Sequence, residues 1–408
     1  MSFWLGVLLF AVGIGVSIAL HEAGHMWTAK AFGMTVRRYF IGFGPTIFSW
    51  RRGETEYGLK AIPAGGFCDI AGMTALDPVT VDERPHAFFH KPTWQRVIVL
   101  SAGSFAHFTI GVVLLYVLAV TAGVPQLTAD PRPLPPVAGE TGCVALTQDP
   151  ATGAPSACDP AALSPAAVAG IRPGDRIVSV AGVPTADFGA VATTVRQHVG
   201  PTAVVVERDG QRLELTVNVL AVQRLAADAV KGNPNNRLET VGAIGLGADA
   251  RLGLLEAVPA TFDSTGTIFS LTWQGLLRFP EKVPTVLRAI AGEQRDIDSP
   301  ISVVGASNLG GQMAAQGQWV LFLLLLIMLN FFIGVFNLLP LLPLDGGHIA
   351  VNLYERVRDV VRSRLGKVKM PPVDYTRLLP VTYAFIVVLG AVSLLTITAD
   401  IVNPIKLK

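Results

Sequence analysis

Four stretches of this chain are too long and too apolar to sit in water: residues 3–27, 95–122, 318–342 and 380–400. Each has the roughly 20 mostly apolar residues that cross a bilayer's hydrocarbon core as a helix. In hydrocarbon every backbone amide must find its partner within the protein, which leaves the helix as the local choice. The bulk composition agrees. Of 408 residues, 51% are hydrophobic and 15% charged, which excludes an ordinary soluble globule. A net charge of +2 gives no argument for a nucleic-acid partner. The expected fold class is a multi-pass α-helical membrane protein with about four transmembrane helices. The first run lacks a basic leader and a small-residue cleavage site, so it reads as a retained helix rather than a secretory signal.

Basic residues orient these spans. Lys30, Arg37, Arg38, Arg51, Arg52 and Lys60 lie between spans one and two, and Arg356, Arg358, Arg362, Arg364 and Lys367 between spans three and four. The positive-inside rule makes both loops cytoplasmic, in a plasma-membrane protein whose N-terminus and long segment 123–317 lie outside. Positions 21–25 then fall toward the cytoplasmic end of span one.

The chain divides into four expected parts: 1–125, 126–222, 223–316 and 317–408. In the second, Gly170-Ile171-Arg172-Pro173-Gly174-Asp175 is a tight turn feeding an alternating strand. Strands Thr202 to Glu207 and Leu213 to Val219 meet through Arg208-Asp209-Gly210, a hairpin signal. With a helix-like stretch at 186–198, this part resembles a bacterial-protease PDZ domain, an inserted extracytoplasmic α/β module. Cys143 and Cys158, both outside, are expected to pair. Cys68, on the cytoplasmic side, is expected to be free. Residues 254–290 read as an amphipathic stretch lying on the outer membrane surface.

Span one runs into His21-Glu22-Ala23-Gly24-His25. On a helix, HExxH sets two imidazoles one turn apart on one face, with a carboxylate beside them. Ionisable groups at membrane depth are costly and mark function. Span three ends Asn337-Leu338-Leu339-Pro340-Leu341-Leu342-Pro343-Leu344-Asp345-Gly346-Gly347-His348, where two prolines break the helix. Topology puts Asp345 on the same side as the histidines. Two histidines and one carboxylate leave a fourth position open, the catalytic pattern for Zn²⁺.

HEAGH on span one, NLLPLLPLDGGH on span three and a PDZ-like insertion between spans two and three resemble the site-2 protease family of intramembrane zinc metalloproteases. The stretches YFIGFGPTIFS and PISVVGAS strengthen the likeness, which lies closest to bacterial members that cut anti-sigma factors. The resemblance implies that His21, His25 and Asp345 ligate zinc and that Glu22 is the general base. It implies that Asn337 holds the substrate backbone. It also implies that residues around Gly42-Phe43-Gly44 belong to a membrane-associated β-hairpin whose edge binds an unwound substrate. One position departs from the family. Where relatives carry Gly-Pro and a downstream Asn on span two, this chain reads Gly103-Ser104-Phe105-Ala106-His107. His107 is expected to bond the substrate, a metal ligand or a neighbouring helix, in a structural or supporting role rather than on the metal. His86 and His90 read as interfacial, His348 as orienting its turn, and His198 as a surface residue.

The expected function is intramembrane zinc endopeptidase activity on single-span membrane proteins in the lipid bilayer, anti-sigma factors among them. A membrane PDZ scaffold with a structural zinc is the alternative. Glu22 discriminates, because a structural site has no use for a carboxylate that does not bind the metal. A transporter would want several charges at the membrane midplane, which spans two and four lack.

Overall fold

Every apolar run becomes a helix. The computed structural model describes residues 2–74, 77–123, 133–159, 161–226, 228–230, 233–293, 295, 299–368 and 370–407. In chain order the elements are α1 (Ser2–Ala31), β1 (Val36–Arg52), β2 (Thr55–Ile70), α2 (Thr93–Thr121), β3 (Ala138–Thr141) and α3 (Pro165–Val168). There follow β4 (Arg176–Val180), β5 (Val183–Pro184), α4 (Phe188–Arg196), β6 (Gly200–Arg208), β7 (Gln211–Leu225), β8 (Leu238–Ala243) and β9 (Leu246–Ala248). The chain closes with α5 (Leu254–Ile290), α6 (Val303–Ala315), α7 (Trp319–Asn337), α8 (Asp345–Arg364) and α9 (Leu379–Val402). These form two compact units, one of Met1–Leu118 with Val258–Lys408, the other of Ala119–Ala257.

In the first unit, α1, α2, α7 and α9 are each long and apolar enough to cross a membrane. Their ends follow local chemistry. Helix α1 stops where Gly33 takes a φ of 65° and the Met34 amide caps back on the Ala29 carbonyl. Helix α7 stops at Asn337, short of the 342 expected from hydropathy, because Pro340 and Pro343 offer no amide hydrogen to continue it. Helix α5 has 37 residues and three internal prolines, at 259, 280 and 284. It does not meet the length-and-hydropathy standard of a span.

Small residues let α6 approach α1 closely. Gly310 and Gly311 face the rings of Phe10 and Phe3, where an added Cβ would come within 2.8 and 2.9 Å. Phe10, Ile14, Ala306, Met313, Phe322 and Leu326 make the core there. At one end of α6, Arg295 meets Asp400 at 2.6 Å with both side chains buried. Asp400 also accepts from the Ser302 amide at 2.7 Å. A buried charge pair is tolerable only when its lone pairs are used in this way.

Strands β1 and β2 form one irregular antiparallel hairpin. Residues Arg38 to Ile41 have partners in both Glu56 to Leu59 and Gly66 to Asp69, so the bent strands make a sheet four segments wide. The segment Gly66 to Asp69 is one of its edges. Beneath it lie Met26, Met34, Val36, Ile70, Phe88 and Leu100. Toward the hairpin's bend Phe43, Ile47, Phe48 and Ile62 are exposed.

The second unit is a five-stranded antiparallel sheet in the order β5-β4-β6-β7-β8, with a small β3-β9 pair beside it. Asp209 and Gly210, with φ of 51° and 77°, turn β6 into β7. Ile177, Val180, Val191, Val204, Val206 and Val217 fill its core. Asp175, at the end of the Gly170 turn, is 2% exposed and pairs with Arg208 at 2.7 Å. Cys143 and Cys158 are joined as a disulfide, their Cα atoms 5.9 Å apart. Cys68, in the other unit, is a free thiol. Pairing with β7 and β3 carries β8 and β9 into this unit, which therefore runs to Ala257.

Candidate metal centre

Helix α1 presents His21 and His25 from one face, one turn apart. Their Nε2 atoms lie 3.2 Å from each other, and each is 3.4 Å from Oδ2 of Asp345. Both histidines are buried, and Asp345 Oδ2 has no hydrogen-bond partner. An orphaned buried carboxylate oxygen facing two imidazole nitrogens calls for a cation. Tetrahedral zinc with bonds of roughly 2.0–2.1 Å needs ligand atoms about 3.3–3.4 Å apart, which this triangle meets. Among the described residues it is the one group of three or more His, Cys, Asp or Glu gathered closely enough to hold a metal.

The surrounding chain fixes this triangle. Nδ1 of His25 is 2.7 Å from the Val99 carbonyl on α2. A carbonyl only accepts, so Nδ1 carries the proton and Nε2 presents its lone pair to the triangle. Gly103 of α2 backs both rings. A Cβ there would collide with His25 Nε2 and sit 2.7 Å from His21 Nδ1, so no larger residue fits. Asp345 is the first residue of α8, and the turn from Leu338 to Leu344 delivers it. Gly346 and Gly347 let the start of α8 nest against the backbone of Leu338 to Leu342; a Cβ on Gly347 would lie 2.6 Å from Leu341 and Leu342 backbone atoms. Asp-Gly-Gly is thus a packing requirement as well as a donor motif.

Glu22, next in sequence to His21, reaches toward β2. Its Cγ lies beside Gly66, where a Cβ would approach within 2.9 Å. Glu22 therefore stands between the donor triangle and an edge segment of the sheet, with no place in the triangle itself. Tyr39 ties the sheet to α1 through its hydroxyl, which donates to the Ala19 carbonyl at 2.7 Å.

His107 faces His21 with ring centroids 5.0 Å apart. Its Nδ1 is 2.9 Å from Oδ1 of Asn330 on α7, and Nδ2 of Asn330 donates to the Leu326 carbonyl at 2.9 Å. The Leu326 carbonyl fixes the amide, so Oδ1 accepts and His107 Nδ1 donates. Both residues are 1% exposed. Asn330 was not singled out from sequence, although an amide in the middle of span three is the signal that would have found it.

The remaining residues sit apart. Asn337, half-buried, ends α7 and makes no side-chain hydrogen bond among the described residues. Gly42 and Gly44 take φ of 88° and 80° in β1, flanking Phe43, which pairs with Ile62 of β2. His348 turns to Tyr375, their rings 5.8 Å apart. His86 bonds the Gly33 carbonyl, His90 lies tilted against Phe89, and His198 bonds the Thr194 carbonyl within its own helix region.

Membrane-crossing helices, a hairpin sheet against them and a His-His-Asp triangle with an adjacent free carboxylate define a membrane-embedded metallohydrolase. The sequence profile of peptidase family M50 matches residues 9–371, and the chain belongs to that family. Zinc metalloprotease Rip1 of Mycobacterium tuberculosis is 48% identical over 411 residues, covering 100% of both chains. Zinc metalloprotease Rip1 of Mycolicibacterium smegmatis is 46% identical over 417 residues, again covering 100% of both. Metalloprotease MmpA of Caulobacter vibrioides is 29% identical over 376 residues, 86% of each chain. The chain is accordingly a zinc metalloprotease of the membrane-embedded, site-2 kind that its motifs led one to expect.

Proposed function

We propose that this protease cuts the transmembrane segments of single-span membrane proteins, with His21, His25 and Asp345 as zinc ligands and Glu22 as general base. One observation carries the reading. Three donor atoms stand at the spacing of one face of a tetrahedron, and a second acidic group, Glu22, lies next to them without joining them. A metal with one open position and a neighbouring base is the arrangement of hydrolytic rather than structural zinc. When bound, zinc supplies Lewis acidity and brings the pKa of a water down to about 7.

The residues do the rest. Glu22 takes a proton from the attacking water as its oxygen bonds to the peptide carbonyl carbon. As the C–N bond breaks, Glu22 returns that proton to the leaving nitrogen. A transmembrane helix hides its amides in its own hydrogen bonds, so it must unwind first. The β2 edge running past Glu22 at Gly66 supports capture of the unwound segment by strand addition. Gly42, Phe43, Gly44 and Asn337 are the side of the site we assign to holding it. His107, held by Asn330, is assigned to backing His21.

The basic loops support a cytoplasmic position for the triangle and an extracytoplasmic one for the N-terminus and the β-rich unit. That unit, with its sheet, its α4 and its glycine turn before β4, we read as a PDZ-like filter. Anti-sigma factors are the substrate class that the family resemblance points to. Reconstitution with single-span reporters, followed by mass mapping of the cut, tests the whole. A cut inside the membrane segment is expected, and one well outside it would overturn the reading.

A further inference from the structure

We propose that a cavity between the N-terminal end of α2 and α8 binds the headgroup of an anionic phospholipid that carries hydroxyls, of the phosphatidylglycerol type. The cavity has a volume of about 1060 Å³. Four cations line it, Lys91, Arg96, Arg356 and Arg358, against two carboxylates, Glu355 and Asp359. The carboxylates are taken. Glu355 faces Arg96 at 3.6 Å and accepts from the Val373 amide at 2.7 Å, and Asp359 pairs with Arg358 at 3.2 Å. Among the described residues, Lys91 and Arg356 have no ion-pair partner, so the cavity holds surplus positive charge.

Two buried polar atoms in its wall are also unused. Arg96 Nε has a proton and no acceptor; Asn352 Oδ1 has lone pairs and no donor. Asn352 is 3% exposed, and its Nδ2 is already committed to the His348 carbonyl at 2.8 Å. A ligand that accepts from arginine and donates to an amide oxygen would match both groups. A phosphodiester beside a hydroxyl does both. The wall also includes Trp94, Ile98 and Leu353, which are 58%, 42% and 47% exposed. Apolar surface at the mouth suits the start of an acyl chain, and a free phosphate would leave it wet. A substrate's flank fits poorly, since the positive-inside rule makes such flanks basic. Basic cavities where helices leave the hydrocarbon are the chemistry of headgroup recognition.

The site rests on α2 crossing a bilayer, as proposed above, but not on proteolysis. Its position matters for the metal centre, because α8 begins with Asp345 and α2 carries Val99 and Gly103. A headgroup bridging Arg96 and α8 would hold those two helices in register.

The test uses the full chain, delipidated and then offered vesicles of phosphatidylcholine alone or with phosphatidylglycerol or phosphatidylmethanol, retained lipid being read by native mass spectrometry. Phosphatidylglycerol should be retained over phosphatidylcholine by about tenfold or more. Lys91→Glu with Arg356→Glu should bring that ratio to one. Asn352→Leu should abolish only the preference for phosphatidylglycerol over phosphatidylmethanol, which has the charge but no hydroxyl. Equal retention of phosphatidylcholine by the unaltered chain would overturn the proposal. So would a preference that survives the double variant, or displacement of the lipid by millimolar inorganic phosphate, which would make this a soluble-anion site.

Discussion

Nδ1 of His107 meets Oδ1 of Asn330 at 2.9 Å, joining α2 to α7 across 223 positions of sequence. The bond is buried on both sides and leaves the His107 ring tilted against His21. It links the helix that backs the histidines to the helix whose end leads to Asp345. Asn330→Leu would leave a buried imidazole N–H without an acceptor, a cost of about 1–3 kcal/mol. Thermal unfolding should shift down accordingly. Because His107 backs a proposed ligand, His107→Ala should weaken zinc binding by about 10- to 100-fold in chelator competition. Unchanged zinc affinity in His107→Ala would reduce this pair to a helix-helix contact.

Glu22 is outside the donor triangle, so its substitution separates binding from chemistry. Glu22→Gln should keep one zinc per chain and lower turnover by at least about 10²-fold. Metal content and cleavage of a single-span reporter, measured on one preparation, check this. Zinc loss in Glu22→Gln would place the carboxylate among the ligands.

Gly103 has no room for a methyl group because two imidazoles occupy it. Gly103→Ala should therefore lower zinc content and activity together while the protein still inserts and keeps its helicity. Gly390, in the middle of α9, provides the contrast, since an added Cβ there meets nothing within 4 Å. Gly390→Ala should raise stability by about 0.5–1 kcal/mol and leave zinc content alone. Equal effects at the two positions would show that helix propensity, not contact with His21 and His25, decides.

Glu83 carries the acid sensitivity of the segment after β2. The Arg37 guanidinium, bonded to Glu83 at 2.7 Å, lowers the Glu83 carboxyl to about 2. The folded value lies below the unfolded one of about 4.3. Its stabilisation is thus complete above the unfolded value and is lost as pH falls toward 2. The thermal midpoint of Glu83→Gln should fall less between pH 5 and pH 3 than that of the unaltered chain. Parallel declines would assign the acid sensitivity elsewhere.

Much of the donor set was readable because metal chemistry writes itself in short spacings. His21 and His25 need four positions on one helix, and Asp345 needs a broken span and small neighbours. The Asp209-Gly210 turn was readable because only certain residues accept positive φ. What was not readable depends on contacts that leave no local pattern. The Val99 carbonyl that orients His25 is a backbone atom, the same in any residue. Gly103 looks like any glycine in an apolar helix until two rings are found against it. The end of the β-rich unit at Ala257 follows from β8 pairing back to β7, a long-range choice that alternation alone does not specify.

The two ends of the donor triangle are also far apart in time. Translation reaches His21 and His25 in α1 well before Asp345, which follows 345 − 21 = 324 residues later. Until that segment is made and inserted, the growing chain owns two imidazoles and a carboxylate with nothing to complete them. With His21, His25 and Asp345 as the proposed zinc ligands, a newborn copy surrounded by other half-inserted helices should be inert. On that assignment, insertion of the segment carrying Asp345 is what arms it.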